Sequence, residues 1–229
     1  MKENDFFDWL TSWEQNLSVK NIHDLQTDPK RIAVICVDMV VGFCHKGPLA
    51  SAEVKSIIPD VVSLFNSAHK AGVEHFILVQ DAHHNEAVEF AAYPPHCQKG
   101  TEEAETIPEI KQLPFVDTFT LIEKNSLSPA YNTEFDTYIT NHSEIDTFII
   151  VGDCTDLCIY SMAMHLRLSA NAHNLQRKVI VPANAVSTYD MSVEAAKRLG
   201  AFPHPEKLLH PLFLYHMALN AVEIYKDVR

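Results

Sequence analysis

Residues 32–38 read IAVICVD, six apolar residues in a row followed by a carboxylate. A run of this length without polar alternation suits a strand buried on both faces. Four more runs of strand length follow, at 75–80, 119–124, 147–152 and 178–182. Helical patterns lie between them. Residues 59–72 place Val61, Val62, Phe65, Ala68 and His69 on one face, with Gly72 as a stop. Residues 156–170 form a second amphipathic stretch, and 192–200 a third, with Ser192 as N-cap and Gly200 as stop. Strands alternating with helices predict an α/β fold with a parallel sheet. Residues 1–29 precede the first strand and read as an N-terminal helical extension, one or two helices wrapping the core.

Composition narrows the class. With 229 residues, 47% of them hydrophobic, the chain has ample material for a buried core. We read all of 1–229 as one domain. The net charge of −12 argues against a nucleic-acid or anionic-membrane partner. Five cysteines cannot all pair within the chain, and a chain this long does not depend on disulfides. The thiols therefore read as reduced and the location as cytoplasmic. The most apolar stretch, 32–43, is interrupted by Asp38 and falls short of the ~20 residues of a membrane helix. The start MKENDFFDWL lacks the basic-then-apolar order of a secretory signal. There is no Walker loop and no dinucleotide fingerprint.

In open parallel sheets, ligands bind beyond the carboxyl ends of the strands. The residues at those ends are Asp38, Asp81 with His83, Lys124, and the segment 153–158. An acid, a pair of metal-type donors, a lysine and a thiol thus fall on one rim. Asp38 suits a general acid/base, or else a cap on the following loop. Lys124 needs a carboxylate partner if buried, and Asp38 is the obvious one; the alternative is a solvated strand terminus. Cys158 opens a predicted helix, where the free N–H groups and a nearby lysine would stabilise a thiolate. The same N–H groups can hold an oxyanion. Its alternatives are a metal pair with Cys154 or an inert buried thiol. Cys36 and Cys97 read as packing residues. The segment DAHHNEAVEFAAYPPHC offers Asp81, His83, His84, Glu86, Glu89 and His96, mixed donors that suit a borderline divalent ion such as Zn²⁺, or Mn²⁺ or Fe²⁺, with His84 as ready to face solvent as the ion. The alternative is a solvated polar loop. His204, His210 and His216 form no ligand spacing and read as surface or satisfied core groups.

Five ordered motifs carry a resemblance: ICVDMVVGFC (35–44), VQDAHH (79–84), YPPHCQKGTEEAE (93–105), LIEKN (121–125) and VGDCTDLCI (151–159). Together they resemble the nicotinamidases among the isochorismatase-like cysteine hydrolases, over residues 31–215. The tail AFPHPEKLLH (201–210) is similar to plant-type members. The expected architecture is a three-layer α/β/α sandwich around a mostly parallel, Rossmann-like sheet of about six strands. The resemblance implies a catalytic triad of Asp38, Lys124 and Cys158. It implies metal ligands at Asp81, His83 and His96, with Glu89 at the offset where some members add a carboxylate. It also implies a cis peptide between Asp153 and Cys154, and an oxyanion hole from the backbone N–H groups of Cys154 and Cys158. Phe43, Tyr93 and Tyr131 would wall in a pyridine ring; their alternative is core packing. Isochorismatases that cleave a vinyl ether lack the nucleophilic cysteine, so Cys158 favours amide hydrolysis. The implied reaction is nicotinamide to nicotinate and ammonia, in an enzyme that can form homo-oligomers. The alternatives are a cysteine amidohydrolase for carbamoyl or ureido groups, or a non-catalytic binding protein on the same fold. Asp153 departs from the family, where small apolar residues are frequent; it would contact substrate or metal waters, or only alter the turn.

Overall fold

A computed structural model describes residues 3–229. The principal strands are β1 (Ile32–Val37), β2 (His75–Asp81), β3 (Thr120–Lys124), β4 (Thr147–Asp153), β5 (Lys178–Pro182), β6 (Val186–Ser187) and β7 (Glu223–Tyr225). The principal helices are α1 (Glu3–Gln15), α2 (Ile58–Ala71), α3 (Phe135–Asn141), α4 (Cys158–Ala172), α5 (Val193–Leu199) and α6 (Glu206–Leu219). The main sheet runs in the order β3-β2-β1-β4-β5-β7, with β6 paired to β4 beyond the end of β5. Every pairing in it is parallel.

The apolar run that opens the sheet explains the layers. Ile32, Val34 and Cys36 face one way and pack with Val61, Leu64 and Phe65 of α2. Ala33, Ile35 and Val37 face the other way and pack with Ile159, Met162 and Ala163 of α4. All six β1 residues are buried, because side chains alternate across a sheet that is covered on both faces. The helix stops fall where the sequence placed them. Gly72 and Gly200 take left-handed conformations at φ 96° and 67°, and the Ser192 hydroxyl accepts the Ala195 N–H.

Two details are filled in. The described residues before β1 hold a single α-helix, α1, followed by Val19–Lys20, which pairs with Asp227–Val228, and two short 3₁₀ turns. The helix packs through Trp9 and Trp13 against Tyr215 of α6. The main sheet has seven strands, because the short β6 and β7 have no apolar run to announce them.

This order reverses between β1 and β4: the chain winds outward through β2 and β3, then returns to the other side of β1. A crevice opens beyond the carboxyl ends at such a point. There Gly152 sits at φ 113°, and a Cβ on it would lie 1.9 Å from the Val37 carbonyl oxygen. Only glycine lets β4 run this close to β1.

Candidate active site

Four segments deliver their ends to this crevice. Asp38 follows β1 with φ 55°, and its N–H donates to Val79 O at 2.9 Å. Lys124 ends β3 and reaches past the end of β2, so its partners come from two strands. Its Nζ lies 2.8 Å from Asp38 Oδ2, 2.6 Å from Asp81 Oδ1 and 3.4 Å from Cys158 Sγ. The expected Asp38–Lys124 pairing is thus present, but β2 lies between their strands and Asp81 is a second partner. The backbone N–H of Asp81 donates to Asp38 Oδ1 at 2.7 Å, which ties the Asp38 carboxylate to the end of β2. All four groups are buried.

Burial on this scale is sustainable only because the charges are paired. It pulls the Lys124 ammonium down, but Asp38 and Asp81 outweigh it and hold the lysine well above its ordinary value. Burial also pushes Asp81 up, yet Lys124 and His83 hold its carboxyl below the usual carboxylate range. For Asp38 burial wins, helped by the Asp81 charge and opposed by Lys124, and its pKa is raised to about 6. Burial pushes the Cys158 thiol well above its ordinary value, against the pull of Lys124. Burial thus opposes the preformed thiolate that a helix start and a lysine alone would suggest. Asp38, Asp81 and Cys158 offer donor atoms within 4.8 Å of one another, but Lys124 Nζ already supplies the cation among them.

Cys158 is the first residue of α4. The N–H groups of Leu157 and Ile159 both donate to Cys154 O. Among the described residues, the N–H groups of Cys154 and Cys158 have no acceptor. The peptide bond between Asp153 and Cys154 is cis. Asp153 is fully buried on the cavity wall; Cys154 Sγ donates to its Oδ2 at 3.4 Å and its Oδ1 has no partner. Burial and the Asp38 charge push its carboxyl well up, toward the neutral acid.

The second donor group lies alongside. His83 N–H donates to Cys97 O and Lys99 N–H to His83 O, which brings His96 beside His83. His83 Nε2 lies 3.3 Å, and His96 Nε2 3.8 Å, from Asp81 Oδ2. His83 is wholly buried, and neither of its ring nitrogens has a hydrogen-bond partner. His96 Nδ1 lies 2.8 Å from Pro94 O; donating there leaves Nε2 as a lone pair facing inward. Orphaned buried nitrogens beside a carboxylate fit a borderline divalent cation. Glu89 stands outside this set of three: its Oε2 accepts the Leu127 N–H at 3.3 Å, and it lines the cavity instead.

Phe43 and Tyr93 line the same cavity, with rings 5.5 and 6.2 Å from that of His96. Tyr131 does not: it is 74% exposed, because the loop after β3 turns it to solvent. Its place on the wall falls to Tyr189, which the sequence reading missed. Tyr189 follows β6, a strand too short to be read locally, and stacks on His204 at 3.8 Å. His204 bonds Tyr189 O and Asp156 Oδ2, and His210 Nδ1 bonds Thr155 Oγ1, so both are satisfied core groups. All five cysteines are free; Cys36, Cys44 and Cys97 are buried in the core.

Comparison with known proteins agrees with this geometry. The model of the isochorismatase domain matches residues 32–201. Nicotinamidase 1 of Arabidopsis thaliana is 30% identical over 203 residues, covering 80% of this chain and 81% of that protein. Two solved structures share the fold at 22% identity. The nicotinamidase of Bacillus subtilis has a TM-score of 0.65, covering 85% of this chain and 99% of its own. The pyrazinamidase of Pyrococcus horikoshii, solved with zinc, has a TM-score of 0.64, covering 86% and 99%. N-carbamoylsarcosine amidase of Thermoplasma acidophilum, also at 22% identity, has a TM-score of 0.63 over 85% and 95%. With a family model matched along most of its length and a buried Asp–Lys–Cys cluster at the sheet's reversal, this chain belongs to the isochorismatase domain family.

Proposed function

We propose that this isochorismatase-like hydrolase is a metal-dependent cysteine amidohydrolase that converts nicotinamide to nicotinate and ammonia. The observation that carries the reading is the contact of Lys124 Nζ with both Asp38 and Cys158 inside a closed site. Asp81, His83 and His96 would hold one divalent ion, Zn²⁺ or else Mn²⁺ or Fe²⁺. When bound, the ion supplies a Lewis-acid contact for a pyridine nitrogen. Phe43, Tyr93 and Tyr189 flank the ring and exclude water. Asp38 takes the proton of the Cys158 thiol, and Lys124 steadies the resulting charges. The sulfur attacks the carboxamide carbon, and the N–H groups of Cys154 and Cys158 hold the oxyanion. Asp38 returns its proton to the departing nitrogen, so ammonia leaves and a thioester remains. It then deprotonates a water that attacks the thioester carbonyl, releasing nicotinate and regenerating the thiol. A pKa of about 6 suits a group that must both take and give a proton near neutrality.

The zinc complex of the Pyrococcus horikoshii fold relative supports the choice of metal. Free thiols support a cytoplasmic location for the enzyme, which we read as one domain and a candidate homo-oligomer. No helix among the described residues is long and apolar enough to cross a membrane.

A second reading, hydrolysis of a carbamoyl amide, draws on the fold shared with N-carbamoylsarcosine amidase. Parallel assays with nicotinamide and an N-carbamoyl amino acid, each with and without a chelator, separate the two. Our reading expects turnover of nicotinamide alone, lost on chelation and restored by Zn²⁺. Chelator-resistant turnover of the carbamoyl substrate would replace it with the second.

A further inference from the structure

The opposite end of the sheet carries another group of metal-type donors. His75 is the first residue of β2, and β2 separates it from Asp81 by about 20 Å. His142 ends α3 as its C-cap, and Glu144 stands in the turn before β4. These three side chains converge although they come from separate segments. His142 Nδ1 lies 3.3 Å from Glu144 Oε1, and His75 Nε2 lies 3.7 Å from the same oxygen. All three donor atoms lie within 4.8 Å of one another.

Zn–ligand bonds of about 2.0–2.1 Å in a tetrahedron place neighbouring donor atoms roughly 3.3–3.4 Å apart. The spacings to Glu144 Oε1, 3.3 and 3.7 Å, start at that edge and slightly exceed it. They also match the 3.3 and 3.8 Å found among Asp81, His83 and His96. A histidine–carboxylate hydrogen bond accounts for His142 with Glu144. It does not account for His75, whose Nε2 is too far from Oε1 to bond it directly. His75 is nonetheless held in place: its Nδ1 lies 3.0 Å from the Tyr138 hydroxyl on α3. Donation from Nδ1 to that oxygen leaves the Nε2 lone pair facing Glu144, the arrangement that orients metal-bound imidazoles. The rings of His75 and His142 meet edge to face, 5.0 Å apart at 63°, and do not stack. Glu144 keeps half of its side chain exposed, which leaves a way in for an ion and a water as fourth ligand.

We propose that His75, His142 and Glu144 form a second metal site, for a borderline divalent ion of the Zn²⁺ type, that ties the turn before β4 to the start of β2. Two imidazoles and one carboxylate select such an ion over Mg²⁺ or Ca²⁺, which take all-oxygen sites. The site is remote from the cavity and independent of the proposed reaction.

The test is a Zn²⁺ titration of metal-free full-length protein, read by calorimetric stoichiometry and by thermal melting. The wild type should bind two ions per chain, and His142→Ala one, with its nicotinamide turnover unchanged. His83→Ala should still bind one, and Zn²⁺ should raise its melting temperature. That rise should vanish in the His83→Ala/His142→Ala double variant. A stoichiometry that His142→Ala leaves unchanged would overturn the proposal, and so would selective binding of Mg²⁺ at this site. Should His83→Ala fail to fold, wild type against His142→Ala and His75→Ala decides alone.

Discussion

Among the described residues, Lys124 is the only lysine or arginine in salt-bridge contact with Asp38 and Asp81, and this sets the cost of removing it. In the metal-free protein Lys124→Leu leaves Asp38 buried without its counter-ion, a loss that typically runs to roughly 3–5 kcal/mol. Cys158→Ala removes no charge. Chemical denaturation should therefore show a large loss for the first variant and a small one for the second, although we expect both to be inactive. Equal stabilities would mean that Lys124 is not the buried counter-ion that the geometry describes. Asp38 carries a different expectation. Its pKa of about 6 lies above the ordinary carboxylate value, so it is protonated, and unable to take the thiol proton, below that pH. A profile of kcat/KM should rise through about pH 6 to a plateau. Asp38→Asn should remove the turnover along with that limb. At this scale the sequence was informative, because chemistry-bearing residues ended apolar runs. It was silent on Tyr189, which reaches the cavity only through a long-range stack on His204, and it misplaced Tyr131.

The elements translate that chemistry into geometry at the reversal between β1 and β4. Gly152 is the tightest point, with the Val37 carbonyl where a Cβ would go. Gly152→Ala should force the strands apart just before Cys154, lowering the melting temperature and abolishing turnover together. A variant that keeps wild-type activity would show that β4 need not approach β1 so closely. Four of the five long strands were legible because each is an apolar run covered on both faces; the fifth, β3, is an edge strand that leaves Leu121 and Glu123 exposed. β7, three half-buried residues, and β6, two residues, carry no such pattern, and only their neighbours specify them. The N-terminal segment was half-legible for the same reason. α1 has an aromatic face, whereas Val19–Lys20 becomes a strand only by pairing with Asp227–Val228.

For the whole molecule, stability and activity respond to pH through different groups. His210 is buried against Thr155, and burial lowers its pKa from 6.5 to about 4. The unfolded chain therefore binds a proton that the folded one refuses between these values. Its contribution is fully present above about pH 6.5 and falls as the pH drops to about 4, by at most roughly 3 kcal/mol. Melting temperatures measured across this window should decline less steeply for His210→Asn than for the wild type. Parallel curves would assign the acid sensitivity to other groups. The α/β class and the placing of the site at the carboxyl ends of the strands followed from chain order and strand spacing, whereas the strand order and its reversal point did not. The pairing of Lys124 with Asp38 was legible too, but Asp81 as its second partner was not, since nothing local shows that Lys124 must cross β2. The central claim is amide hydrolysis by Cys158, and release of ammonia from nicotinamide by purified protein tests it most directly. We predict turnover by the Zn²⁺-loaded wild type and none by Cys158→Ala. Equal rates from the two proteins, or no ammonia from either, would contradict it.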